Sequence, residues 1–205
     1  MEAATTTTRD LAGEKAQRII GAMRASVARR GSAASTFDHV AREAGVSRGL
    51  LHYYFHTKEQ LLVEMVRHDC ELRMAVLDRD LSGARSAHDF IEALVSSLED
   101  MLGRDPEFIT LFFEVFALSQ RNPDIALELA ELLRRTRAHV ADLLGAKEEE
   151  GVLRLEADPE AIAEILFSIA DGIALRMLTE PARDYTATVG AAVSCARTLV
   201  ADPPG

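Results

Sequence analysis

Ala41-Arg42-Glu43-Ala44-Gly45-Val46-Ser47 is the stretch whose reading decides the fold. Val40 and Ala41 supply the apolar side of a short helix. Gly45 stands where the chain must leave that helix, because glycine accepts a positive φ without steric cost. Val46 plugs the corner, and the Ser47 hydroxyl can cap the next helix. Two short helices joined by a turn containing glycine form the helix-turn-helix arrangement. The second helix, Ser47 to Tyr53, is then the recognition helix, whose N-terminal residues enter a major groove.

Within that reading each residue type has a chemical task. Arg48 suits a base edge, since a guanidinium pairs with guanine O6 and N7. Gly49 lets backbone approach closely, and Leu50 can touch a thymine methyl. His52 and Tyr53 are long enough for phosphate or base. Thr36 and Lys58 start the flanking helices, where helix N-termini already favour an anion. Val46, Leu51 and Phe55 read as the interior of this unit, Tyr54 divides between packing and phosphate, and His56 reads as a solvated turn residue.

Outward from this stretch the chain reads as helix nearly throughout. Of its residues 48% are hydrophobic and only 5% aromatic, with no Trp, a balance that favours helix over sheet. Asp105-Pro106, Asn122-Pro123 and Asp158-Pro159 each set a capping residue before proline at the first helical position. Thr57-Lys58-Glu59-Gln60 has the form of a capping box. Helices are expected over 10–30, 37–43, 47–53, 57–80, 87–102, 106–119, 123–149, 158–178 and 184–200. The fold class is therefore all-α: an N-terminal three-helix unit (1–56) followed by a larger helical body (57–205), with no breaker in the helix that joins them. Residues 1–8 and 202–205 lack periodicity and read as frayed ends.

Charge is split along the chain. Residues 1–58 carry nine Lys/Arg against five Asp/Glu, whereas the remainder carries 14 against 28. A mildly basic head on an acidic body suits a protein that meets a polyanion at one end. In the body, 106–119 is apolar over about half its circumference and is expected to run through the centre. Along 158–178 one stripe is Ile162, Ile165, Leu166, Ile169, Ile173 and Met177. A second patch, Ala163, Phe167, Ala174 and Leu178, is offered for a second subunit. Met101, Phe112, Phe113, Phe116, Phe167 and Met177 are named as a group that lines a ligand cavity, although each taken singly also reads as plain core. Arg134, Arg135 and Arg137 read as a solvated basic face or as a meeting place for an acidic ligand or partner. Glu148-Glu149-Glu150 reads as a solvated helix end.

Several classes are disfavoured. There is no GxSxG, HExxH, phosphate-binding loop or dinucleotide fingerprint. Six His (39, 52, 56, 68, 88, 139) lack metal spacing, so no enzyme, metal or cofactor is expected. Cys70 and Cys195 lie in no ligand or disulfide pattern, which suits a reducing cytoplasm. No apolar run approaches the roughly 18–20 residues of a membrane span, and the Thr5–Thr8 run replaces a signal-peptide core.

The chain resembles the tetracycline-repressor-like (TetR) regulators through Ile19-Ile20-x-Ala22, Val27, Gly31, Thr36, Val40-Ala41, then Ala44 to Phe55 and Thr57-Lys58-Glu59-x-Leu61-Leu62. Asp171-Gly172 within the penultimate long helix also looks like a subset of them. The resemblance implies an all-helical homodimer whose last two long helices form a four-helix interface. It implies a small-molecule effector pocket in the body, controlling a repressor on a pseudo-palindromic operator in double-stranded DNA. Carried over position by position, Thr36, Ser47, Arg48, Gly49, Leu50, His52, Tyr53 and Lys58 fall at its DNA contacts. His52 replaces a usual Tyr. Asp38 lies where a basic or neutral residue often faces the duplex, and would repel phosphate unless it accepts from a cytosine amine or from Arg42. The rival reading is an architectural DNA binder without an effector.

Overall fold

The computed structural model describes residues 13–203, so the expected frayed start at 1–8 and the final two residues lie outside the described part. Nine helices are described: α1 (Glu14–Ala34), α2 (Phe37–Ala44), α3 (Arg48–Phe55), α4 (Lys58–Ser82), α5 (Ala87–Arg104), α6 (Pro106–Ser119), α7 (Pro123–Glu149), α8 (Pro159–Thr179) and α9 (Thr186–Leu199). They divide after Arg67, within α4, into two compact units.

In the first unit α1 buries Ala16, Ile19, Ile20 and Met23, a spacing of three and four that lays one stripe along the helix. It packs on α2, and α2 on α3; the unit also buries Phe37, Val40, Ala41 and Ala44 of α2, Leu51 and Phe55 of α3, and Leu61, Leu62, Met65 and Val66 at the start of α4. Gly31 (φ 76°) kinks α1 near its end. Gly45 is left-handed (φ 64°, ψ 39°), and Val46 N–H donates back to Ala41 O at 3.0 Å. The Arg18 guanidinium donates to Ala44 O at 2.6 Å, satisfying a carbonyl that the end of α2 would otherwise leave open.

The second unit packs α5 to α9 and the rest of α4 around Leu81, Phe90, Leu144, Leu153, Ile162 and Val200. Its three Asx-Pro starts act as caps. Asp105 accepts from Phe108 N–H, Asn122 from Asp124 and Ile125 N–H, and Asp158 from Glu160 and Ala161 N–H. Two features depart from expectation. A two-residue antiparallel clasp joins β1 (Arg154–Leu155) to β2 (Val200–Ala201), too short for any alternating pattern to announce. Asp202, read as frayed, accepts from Ala87 N–H at 2.8 Å and ties the chain's end to the start of α5.

Two helices sit differently from their periodicity. Phe116, on the apolar half of α6, is exposed like Thr110 and Ala117 on the opposite side, because α5, α7 and α8 cover only part of the helix. In α8 the small residues Ala163 and Ala174 are buried beside Ile162 and Ile173, while Phe167 and Leu178 are half-buried. The side of α8 left open carries Ile165, Ser168, Gly172 and Leu175. That of α9 carries Ala187, Gly190, Ala191, Ser194 and Cys195.

Candidate nucleic-acid interface and effector cavity

The α3 helix begins at Ser47, whose hydroxyl accepts from Leu50 N–H at 3.2 Å. Thr36 caps α2 in the same way, accepting from His39 N–H, and Thr57 caps α4 through Gln60 N–H. Leu51 and Phe55 point into the unit, and the opposite side of α3 presents Arg48, Gly49, His52 and Tyr53 to solvent. Tyr53, 57% exposed, stands edge-on to the half-buried Tyr54. Leu50 is half-buried. An added Cβ at Gly49 would meet nothing nearer than the Ser47 hydroxyl at 3.9 Å, so packing within the chain does not require glycine there.

Arg48 and its neighbours form a small polar network. Its guanidinium lies 3.3 Å from the Asp38 carboxylate, and its Nε–H donates to His52 Nε2 at 3.4 Å. An accepting Nε2 leaves the His52 proton on Nδ1, which then donates to His56 O at 3.1 Å. The same ring packs edge-on against Phe37, 4.9 Å between centroids. Asp38 thus pairs with Arg48 of the neighbouring helix and not with Arg42, one turn along its own. Lys58 is half-buried and donates to Ser32 O at 3.0 Å, which uses one of its three N–H bonds and holds the ammonium near the end of α1. His56 is exposed and caps α3 with φ 31°.

The second unit contains a cavity of about 370 Å³, within the size range of small-molecule sites. Its walls are mainly apolar and include Phe112, Phe113 and Phe167 of the expected aromatic group. Phe116 and Met177 are not among its lining residues, Phe116 standing 50% exposed, and the Met101 side chain lies outside the described part. From α4 come Cys70, Arg73, Met74 and Leu77, which the sequence did not single out. Burial, helped by the Asp69 charge, pushes the Cys70 thiol up to about 12.

The charges on these walls are mostly compensated. Arg73 pairs with Asp105 at 2.7 Å and stacks over the Phe108 ring at 4.4 Å, with its Nε–H buried and unpartnered. Arg137 reaches Glu164 at 2.7 Å and Glu160 at 3.2 Å. Arg134 holds Glu131 through two bonds of 2.8 Å. The acidic partners of that basic cluster therefore include carboxylates of the chain itself. Asp171, also on the wall, has its carboxyl raised by burial and by the Glu164 charge. Among the described residues no cluster of His, Cys, Asp or Glu could hold a metal ion, and no helix is long and apolar enough to cross a membrane.

Comparison with known proteins matches these two parts separately. Residues 19–65 match the family model described as bacterial regulatory proteins, tetR family. Residues 87–202 match the model for the C-terminal part of BetI-type transcriptional repressors. The transcriptional regulator BetI of Rhizobium meliloti is 30% identical over 152 residues, covering 72% of this chain and 70% of that protein. Among solved structures, Bacillus subtilis FadR in complex with stearoyl-CoA superposes with a TM-score of 0.68 at 18% identity, over 87% of this chain and 95% of that one. A Saccharomonospora viridis regulator in complex with choline gives 0.63 at 24% identity, over 80% and 84%. These two show a shared fold. Taken with the exposed recognition helix, the matches identify the chain as a member of the TetR family of bacterial transcriptional regulators, with a BetI-type C-terminal region.

Proposed function

We propose that this regulator is a homodimeric repressor that reads a pseudo-palindromic operator and is released from it by a small-molecule effector. Residues 1–56 act as the DNA-binding domain, and 57–205 as the regulatory and dimerisation domain. The observation that carries the reading is a cavity of about 370 Å³ in the same chain as an exposed recognition helix. Arg48 reads a base edge, Tyr53 and His52 reach phosphate or base, and Thr36, Ser47 and Lys58 hold the backbone at helix N-termini. Leu50 and Gly49 provide apolar contact and close approach.

Two chains meet through the open sides of α8 and α9. Gly172, Gly190, Ala191 and Ser194 have small side chains that permit close helix approach, and Ile165 and Leu175 are apolar side chains left in solvent. The paired recognition helices then address half-sites about one helical turn apart. The effector acts by binding more tightly to the form that does not bind DNA. A choline-bound neighbour supports small ligands as the effector class, and a stearoyl-CoA complex supports amphiphilic ones.

The test is selection of duplexes from a random pool by the full chain, followed by fluorescence anisotropy on the selected sequence. The expected result is a palindromic consensus bound by two chains, with discrimination that persists at moderate salt. Weak, salt-sensitive binding without sequence preference would overturn the reading and favour an architectural role.

A further inference from the structure

Both ring nitrogens of His52 are engaged within the chain, and that arrangement needs the ring neutral. Nε2 accepts from Arg48 Nε–H at 3.4 Å, and the proton on Nδ1 goes to His56 O at 3.1 Å. Phe37 of α2 meets the ring edge-on and backs it. His52 stands one turn after Arg48 on the exposed side of α3, so the two side chains are helix neighbours. A guanidinium has a single N–H on Nε and two on each terminal nitrogen. His52 takes the first, Asp38 lies 3.3 Å from Nη1, and neither partner uses Nη2. One N–H on each terminal nitrogen is therefore left to form the fork that pairs with guanine O6 and N7.

We infer that His52 is a positioning residue for Arg48: its neutral ring holds Nε–H and so leaves the terminal fork turned to a base edge. Protonation reverses its part. An imidazolium has an N–H on both nitrogens and accepts at neither, and its charge then stands beside that of the guanidinium. Freed from Nε, the charged ring donates to phosphate, which every sequence offers. On α2, Asp38 faces this pair, Arg42 lies one turn beyond Asp38, and His39 and Glu43 are drawn to α1 through Ala34 O and Arg29. On α3 the other titratable groups are Tyr53, Tyr54 and His56, while Lys58 and Glu59 open α4 with Lys58 turned to Ser32 O. The inference rests on Arg48 reading a base edge.

The test uses the full chain, the selected operator and a random duplex, with anisotropy measured from about pH 8 to about pH 5.5, where an imidazole gains its proton. Discrimination is the ratio of the two dissociation constants. In the unaltered chain it should fall by about three- to tenfold as pH drops, while affinity for random DNA rises. His52→Gln has an amide oxygen that accepts near the place of Nε2 and does not titrate, so its discrimination should be flat with pH. His52→Ala should be flat as well, at a level about three- to tenfold below His52→Gln. Constant or rising discrimination on acidifying the unaltered chain, the same pH profile in His52→Gln, or equal discrimination in the two variants overturns the inference. If His52→Ala does not fold, the first two profiles decide. Arg48→Ala separates the inference from the reading beneath it. Lowered discrimination in Arg48→Ala keeps that reading even where the His52 results fail, and undiminished discrimination overturns both.

Discussion

The guanidinium of Arg48 lies between a carboxylate at 3.3 Å and an imidazole nitrogen at 3.4 Å, all three on an exposed surface. An exposed pair of this kind is worth about 0–1 kcal/mol, so it steers the side chain without locking it. Arg48→Ala is expected to lower discrimination between operator and random DNA by about 1–3 kcal/mol, read by anisotropy on the two duplexes. Asp38→Asn should raise affinity for random DNA and for operator by similar factors, because it removes a negative charge that faces every phosphate alike. Cys70, with its thiol held near 12, should resist iodoacetamide at pH 8 in the folded protein, with mass spectrometry as the readout. Rapid labelling of Cys70 would contradict its burial. At this scale residue types were legible in the sequence: Arg48, His52 and Tyr53 stand exposed on α3, and Leu51 and Phe55 are buried. Partnerships were not. Asp38 and Arg48 are brought together by the turn at Gly45, and no spacing rule foretells which of two nearby arginines a carboxylate will choose.

Helix starts depend on single side chains. Asp158→Ala removes the acceptor for two N–H groups at the start of α8 and should cost about 1 kcal/mol, lowering Tm by roughly 2–4 °C. Ser86 caps α5 by accepting from Asp89 N–H, and the Asp89 carboxylate reaches back to accept from Arg85 N–H; chiefly through that bond its carboxyl sits below the ordinary range. A lowered carboxyl stabilises the fold above its unfolded pKa and loses that contribution as pH falls through the folded one. The Tm gap between the native chain and Asp89→Ala should therefore be full at neutral pH and close toward the acidic end. A gap that widens on acidification would contradict the assignment. The Asx-Pro signals made these starts legible because capping is local chemistry. The β1–β2 clasp was illegible because each strand is two residues long and its partner lies more than forty positions away. Ending the chain after Leu199 removes both β2 and the Asp202 acceptor, and should lower Tm.

For the whole molecule, the reading turns on which sides of α8 and α9 remain open. Periodicity on α8 offered the patch of Ala163, Phe167, Ala174 and Leu178 for a second subunit and the stripe from Ile162 to Met177 for the body, and the structure does not keep that division. Ala163 and Ala174 went inward against Ile162 and Ile173, and Ile165 and Leu175 were left in solvent. The cavity was less legible still, since it arises where α4 to α9 converge: three of the six aromatic and Met side chains line it, and Cys70, Arg73 and Asp171 were not foreseen. If two chains pair as proposed, Ile165→Glu should give a monomer in sedimentation, with helicity kept and operator binding lost. An unchanged dimer would move the interface elsewhere. Gly172 and Gly190 on those open sides have nothing within 4 Å of where a Cβ would stand, so a protomer accepts a larger side chain there without strain. The same side chain would obstruct a close-packed pair unless its mate were trimmed to match. If the chains pair there, related regulators in one cell risk exchanging subunits, and these two glycines are where a lineage could make its pairing exclusive while leaving fold, cavity and recognition helix untouched.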